Sequence, residues 1–304
     1  MIKRLLKIST LRFRHILLAL FILWVFSIVW QFVIFSQSDV DVYVRDDSRP
    51  EDIEGVVCGE NDRNTRLFPT MAALSAYSYQ EKQPSEFEDW LFVFEGITES
   101  LSTDRYLVPG LKFTLWANHQ DKTLVVVFRG TSGLVDFHSN LHWLFKMLPY
   151  ALDQYEQVPL ILDLLDDYIP NGYKVYAAGH SLGGGLAQYA LYYSPKITIA
   201  YVFNTTPVTG WTDLDSDQRM RNVKGNRVYR VHENGEVLEF LRLVMKAGYV
   251  LSPLPNRNPY FKEYRLNLLD GNLIFQHNIQ QLSESLLIAR SCDEGMERAK
   301  VVQH

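Results

Sequence analysis

Apolar and polar positions along the 304-residue chain fall into three regimes. The first is a block. Ile16–Phe35 runs without a charge, broken only by Ser27 and Gln31. As a helix this block is about 30 Å long, one hydrocarbon thickness, which predicts a transmembrane helix over residues 15–35. The second regime, residues 36–60, is acidic without sustained periodicity and reads as a linker. The third, residues 61–304, alternates short apolar runs with segments apolar at three- and four-residue steps.

"LKFTLWA" and "TLVVVF" flank the polar turn "NHQDK" as a hairpin, the second run continuously apolar like a strand buried on both faces. "YKVYAAG" (173–179), "ITIAYVFNT" (197–205), "NRVYRVHEN" (226–234) and "EYRLNLLDG" (263–271) read as further strands. "PTMAALSAYSYQ" (69–80) reads as a short amphipathic helix, with Met71, Leu74, Ser75 and Tyr77 at helical spacing. "YEQVPLILDLLDDYI" (155–169) is a helix stopped by Pro170, Asn171 and Gly172, and "GGGLAQYALYY" (183–193) is another. Strands alternating with helices predict an α/β fold, a mostly parallel sheet with helices on both faces, as one domain over 61–304.

Charge orients the chain. Residues 1–14 carry five basic side chains and no acid, whereas the twenty residues after Phe35 carry seven acids and two bases. A basic flank before the span and an acidic one after it predict a cytoplasmic N-terminal tail and a domain on the extracytoplasmic side. The rival is a cleaved signal peptide, but its apolar core is ~7–15 residues and "FSQSDV" is a poor small-residue cleavage site. The net charge is -5, which gives no support to a nucleic-acid partner. Cys58 and Cys292 lie near the two ends of the exported part and admit either a disulfide or two free thiols. Oligomeric state is not legible.

The chemistry concentrates in "YAAGHSLGGGLAQ". Gly179-His180-Ser181-Leu182-Gly183 fits G-x-S-x-G between a strand and a helix. A strand turning abruptly into a helix lifts the serine out of the sheet, and positions two before and two after it have no room for a Cβ. Ser181 is therefore the candidate nucleophile, with Gly179 and Gly183 as the elbow glycines. His180 reads as a packing or hydrogen-bonding residue of the elbow rather than the base. His138 and His142 stand four apart, but no third ligand makes them a metal site.

"GHSLGGGLA" resembles the nucleophile elbow of class 3 lipases, the fungal-lipase-like branch of the α/β-hydrolases. "VVVFRGT" (125–131) resembles that family's oxyanion strand and loop. The similarity extends over about residues 65–290. Of the histidines after Ser181, His232 lies in a strand-like run before any good acid and His304 is terminal; the resemblance places the base at His277, after the last strand, and an acid in "VHENGEVLEFL", where the position matching the family's aspartate is Glu236. Glu233, Asp213 and Asp215 are rivals for the acid. The implied oxyanion donors are the Leu182 N–H and Thr131. "SGLVDFHSNLHWLFKMLPY" (132–150) resembles the lid, with Leu141, Leu144, Phe145 and Leu148 at helical spacing and Trp143 and Met147 beside them, although a core helix would show the same spacing. "AGYVLSPLPNRNPYF" (247–261) is a candidate pocket wall.

The resemblance implies a serine hydrolase that cleaves carboxylic esters of lipids through an acyl-enzyme and needs no metal or organic cofactor; the apolar span over 15–35, which lies outside the resemblance, predicts that it is membrane-anchored. The alternatives are an esterase, thioesterase or acyltransferase on small soluble substrates, and an inactive anchored scaffold of the same fold.

Overall fold

The strand-like runs assemble into one nine-stranded sheet in the computed structural model, which describes residues 15, 18–25, 40–42, 51–60, 62–97, 102–103, 106–107, 111–130, 154–207, 209–211, 213–239 and 260–290. In chain order the elements begin with β1 (Val40–Val42), α1 (Glu51–Val57), α2 (Phe68–Tyr77), β2 (Glu86–Phe87), β3 (Trp90–Ile97), β4 (Ser102–Thr103) and β5 (Tyr106–Leu107). The main body follows as β6 (Lys112–Asn118), β7 (Thr123–Phe128), α3 (Val158–Asp166), β8 (Lys174–His180), α4 (Leu182–Tyr193) and β9 (Ile197–Phe203). It closes with α5 (Ser216–Asn222), β10 (Arg227–Glu233), β11 (Tyr260–Leu266) and α6 (Ile279–Ala289). The sheet order is β1-β11-β10-β9-β8-β7-β6-β3-β2. Strands β7 to β11 and β1 pair in parallel, and β6, β3 and β2 extend the sheet antiparallel. Strands β4 and β5 form a separate pair.

Consecutive strands β7, β8, β9 and β10 lie side by side, and right-handed crossovers then put every connecting helix on the same face. Accordingly α3, α4 and the residues on either side of α5, Leu214 and Val223, share one apolar core with Leu124, Val126 and Phe128 of β7. The opposite face holds Val125 and Val127 and is covered by α1 and α2, which precede β2, and by α6, which follows β11. The two-residue period of β7 is thus spent on two cores at once, which is why "TLVVVF" has no polar face. On the second face Tyr201 and Tyr229 stack at 5.5 Å, and Phe68 of α2 meets both edge-on. Such aromatic pairs add ~0.5–1.5 kcal/mol each beyond burial.

The structure departs from the sequence reading in three places. Helix α2 is not amphipathic: Phe68 to Ala76 are all buried, because α2 is sandwiched between the sheet and α6. The stretch expected as an acidic linker contains β1, which pairs with β11 through Val40 beside Glu263, and the helix α1. Strands β2 and β3 add an antiparallel edge that the sequence reading left unassigned; β3 is kinked by an irregularity between Phe92 and Phe94, which blurs its alternation. Among the described residues no helix is long and apolar enough to cross a membrane. Of the span expected over 15–35, His15 and residues 18–25 are described as helical, and the rest lies outside the described residues. Cys58 is disulfide-bonded; Cys292, the other cysteine of the chain, lies outside the described residues.

Candidate active site

The site gathers at the C-terminal ends of the parallel strands. Strand β8 ends at His180, Ser181 makes the corner, and α4 starts at Leu182. Ser181 has φ 58° and ψ -124°, a conformation that costs on the order of 1–3 kcal/mol for a residue with a Cβ. The surroundings hold it there. Its N–H donates to Phe203 O at 3.0 Å, and its carbonyl accepts from Gly184 N and Thr206 N, both at 3.1 Å. A Cβ on Gly179 would overlap the Gly183 backbone, and one on Gly183 would overlap the Phe128 carbonyl at the end of β7. Three glycines in the first turn of α4 cost ~1 kcal/mol each relative to alanine. Their absence of side chains lets α4 press onto the ends of β7 and β8. Leu182 is the first residue of α4, so its N–H belongs to the turn that has no intrahelical acceptor.

His277 lies one residue ahead of the α6 cap. Asn278 caps α6 by accepting from Gln280 N and Gln281 N. The preceding turn is built on Asn272, whose side-chain oxygen accepts from Ile274 N at 3.1 Å and Phe275 N at 2.9 Å. His277 N–H then donates to Ile274 O. The imidazole is buried, and its Nδ1 lies 2.5 Å from Glu236 Oε2. A carboxylate can only accept, so Nδ1 carries the proton and Nε2 presents a lone pair. Glu236 itself is 1% exposed. It follows the turn Asn234-Gly235, where Gly235 takes φ 79°, and the same Oε2 accepts the Leu238 N–H at 2.8 Å.

Two polar atoms here are buried without a hydrogen-bond partner: Ser181 Oγ and His277 Nε2. Each such unpaired atom costs ~1–3 kcal/mol, so both groups are kept for something other than stability. His180, the neighbour of Ser181 in sequence, touches His277. Its ring centroid is 4.7 Å from that of His277, and its Nε2–H donates to the His277 carbonyl at 2.8 Å. Burial, then the neighbouring His277, push the His180 pKa well below the usual histidine value; the bond to the carbonyl only partly opposes this.

The rival acids make other contacts. Glu233 ends β10, fully buried, with Oε1 accepting from Leu269 N at 2.9 Å. Asp215 caps α5 by accepting from Asp217 N and Gln218 N, and Asp213 is exposed. His232, in β10, is buried with Nε2 3.9 Å from Glu263 Oε1. Thr131, Trp143, Leu144, Phe145 and Met147, with His138, His142 and His304, lie outside the described residues, as does most of the 247–261 wall.

Two residues escaped the sequence reading. Asn204, at φ 41° just after β9, accepts the Glu233 N–H at 2.7 Å and donates to Gln276 O at 3.0 Å. It thereby joins the acid-bearing turn to the base-bearing loop. Tyr79, just beyond α2, donates its hydroxyl to His180 Nδ1 at 3.0 Å. Asparagine tolerates a left-handed backbone, a faint signal; nothing in the sequence around Tyr79 marks it.

The rim beside His277 is apolar. Leu273, Ile274 and Phe275 are 58%, 39% and 40% exposed.

The chain is similar to lipase II from Rhizopus niveus, with 20% identity over 61% of this chain and 77% of that one and a TM-score of 0.39. It is also similar to a triacylglycerol lipase from Penicillium expansum, with 19% identity over 69% of this chain and 80% of that one and a TM-score of 0.39. No curated protein matches. The sequence pattern of the Tle-like phospholipase domain matches residues 70–248, more than half of the chain, including Ser181 and Glu236 and ending before His277. By that match the chain belongs to the Tle-like phospholipase domain family and is a carboxylic ester hydrolase.

Proposed function

We propose that this chain is a membrane-anchored serine hydrolase that cleaves acyl esters of membrane lipids through an acyl-enzyme. The observation that carries the mechanism is the pair of buried, unpartnered atoms, Ser181 Oγ and His277 Nε2, with Nδ1 of the same imidazole held on Glu236. His277 Nε2 takes the Ser181 proton as Oγ attacks the ester carbonyl, and Glu236 stabilises the imidazolium that forms. The imidazolium returns the proton to the departing alcohol. Water, deprotonated by the same nitrogen, then releases the fatty acid and restores Ser181. The Leu182 N–H and Thr131 hold the oxyanion; losing one such donor costs ~3 kcal/mol of barrier.

A lipid substrate is supported by the exposed Leu273, Ile274 and Phe275 at the rim, and by the family's phospholipase character. Anchoring through residues 15–35 is supported by the helical stretch 18–25, whose apolar side chains are exposed all round. An extracytoplasmic domain is supported by the disulfide at Cys58, since such bonds persist in oxidising compartments.

The test takes the full chain in lipid nanodiscs beside Ser181→Ala, with phospholipid vesicles and esters of increasing acyl length as substrates. Turnover falls ~10³-fold or more in the alanine form, and long acyl chains are preferred in the parent. Retained turnover in Ser181→Ala sinks the serine mechanism. A flat chain-length profile without response to vesicles would instead favour a small soluble ester or thioester.

A further inference from the structure

Tyr79 stands 101 positions from His180 in sequence, yet its phenolic oxygen is the junction of three pieces of the site. It accepts the Gly130 N–H at 3.1 Å, donates to His180 Nδ1 at 3.0 Å and lies 3.4 Å from the His180 carbonyl oxygen. The fit leaves no slack: a Cβ on Gly130 would overlap the Tyr79 hydroxyl and come within 2.7 Å of His180 O. The Arg129 guanidinium lies 5.6 Å from the Tyr79 ring centroid. At its far end His180 Nε2 is 2.8 Å from the His277 carbonyl.

Donor and acceptor rules fix every proton in this chain. A carbonyl only accepts, so His180 Nε2 carries the hydrogen and Nδ1 must accept. Tyr79 must then donate to Nδ1, which leaves an oxygen lone pair for Gly130 N–H. The neutral imidazole has one donor and one acceptor, and both are used, so His180 has no proton to trade with substrate. What it has is reach. One end of the chain is the loop after β7, on which the Thr131 oxyanion donor is expected; the other is the backbone of the base.

We propose that Tyr79 and His180 form a positioning bridge that sets the spacing between the Gly130 loop and His277 on either side of Ser181. The proposal rests on the serine-hydrolase reading above and adds to it two residues that touch neither substrate nor reacting atoms. Its leverage comes from geometry: a misplacement of about 1 Å between reacting groups costs on the order of 10²-fold in rate.

Tyr79→Phe in the full chain is the decisive variant, because it keeps the ring and its packing and removes one oxygen. On a short-chain soluble ester, kcat falls ~10–100-fold with KM within about twofold. The rate of fluorophosphonate labelling at Ser181 falls by the same factor. His180→Gln, whose amide can donate to the His277 carbonyl and accept from Tyr79, keeps most of the parent kcat. His180→Leu falls as far as Tyr79→Phe, and the double variant Tyr79→Phe with His180→Leu is no slower than either alone, since the bridge is broken once. A Tyr79→Phe form with kcat within twofold of the parent overturns the proposal. So does a His180→Gln form no better than His180→Leu, a comparison that decides the matter even if Tyr79→Phe does not fold. Ser181→Ala separates the two levels: if it stays active the serine reading has failed, and if it is dead while Tyr79→Phe is unimpaired only the bridge has.

Discussion

Glu236→Gln isolates the charge that the site spends on its base. The substitution preserves shape in a position that is 1% exposed, and the glutamine oxygen can still accept the Leu238 N–H. What it removes is the negative charge 2.5 Å from His277 Nδ1. Taking an effective dielectric of ~20, two unit charges about 4 Å apart attract by ~4 kcal/mol. That attraction exists only while His277 is an imidazolium, that is, in and around the transition state, so its loss appears in kcat rather than in KM. At 1.36 kcal/mol per decade, ~4 kcal/mol is ~10³-fold. The equivalent acid-to-amide exchange in the serine-protease triad costs ~10⁴-fold, partly through the wrong imidazole tautomer, so ~10³ is a lower expectation. The assay is steady-state hydrolysis of a short-chain nitrophenyl ester at mildly alkaline pH, with thermal unfolding as the control for folding. Glu233→Gln is the matched comparison: Glu233 is equally buried, but its Oε1 serves the Leu269 N–H, so kcat should stay within a few-fold. The reasoning is refuted if Glu236→Gln keeps kcat within tenfold at unchanged melting temperature, or if Glu233→Gln is the slower of the two.

Two further outcomes follow from the same geometry. Leu273→Asp at the exposed rim should cut turnover on phospholipid vesicles by tenfold or more while leaving the soluble ester unaffected, because seating a leucine in lipid contributes ~1.5–3 kcal/mol; equal losses on both substrates would refute a lipid-facing rim. His180 is held neutral by burial, so below its unfolded value of about 6.5 the unfolded chain binds a proton that the folded one does not. Stability contributed by that neutral state is complete above ~6.5 and is lost as pH falls, by up to ~1.4 kcal/mol per unit, until the depressed folded value is reached. Denaturant midpoints across that range should slope less in His180→Gln than in the parent, and parallel slopes would refute it.

Much of the architecture was legible because it is local. Continuous apolar runs demanded strands with two covered faces, and the covers are there, α3 to α5 on one side and α1, α2 and α6 on the other. The period-based reading failed on α2, since a helix wedged between a sheet and another helix has no solvent face to keep polar. It also passed over β1 and β3, a three-residue edge strand and an interrupted one, too short or too irregular for alternation to accumulate.

The elbow was written into the sequence by itself. Gly179 and Gly183 answer a collision between neighbours along one turn of chain, and a local clash leaves a local mark. Which acid meets His277 was decided only in three dimensions. Glu233 and Glu236 stand three residues apart in one turn and both are buried, so composition and spacing could not choose between them. The choice falls to the loop that ends at His277: it offers the Leu269 N–H to Glu233 and the imidazole to Glu236. Tyr79 is the extreme case, joined to His180 across 101 positions by a hydrogen bond. Hydrogen bonds select by direction and distance between atoms, and a one-dimensional pattern of apolar and polar residues carries neither for pairs that only folding brings together.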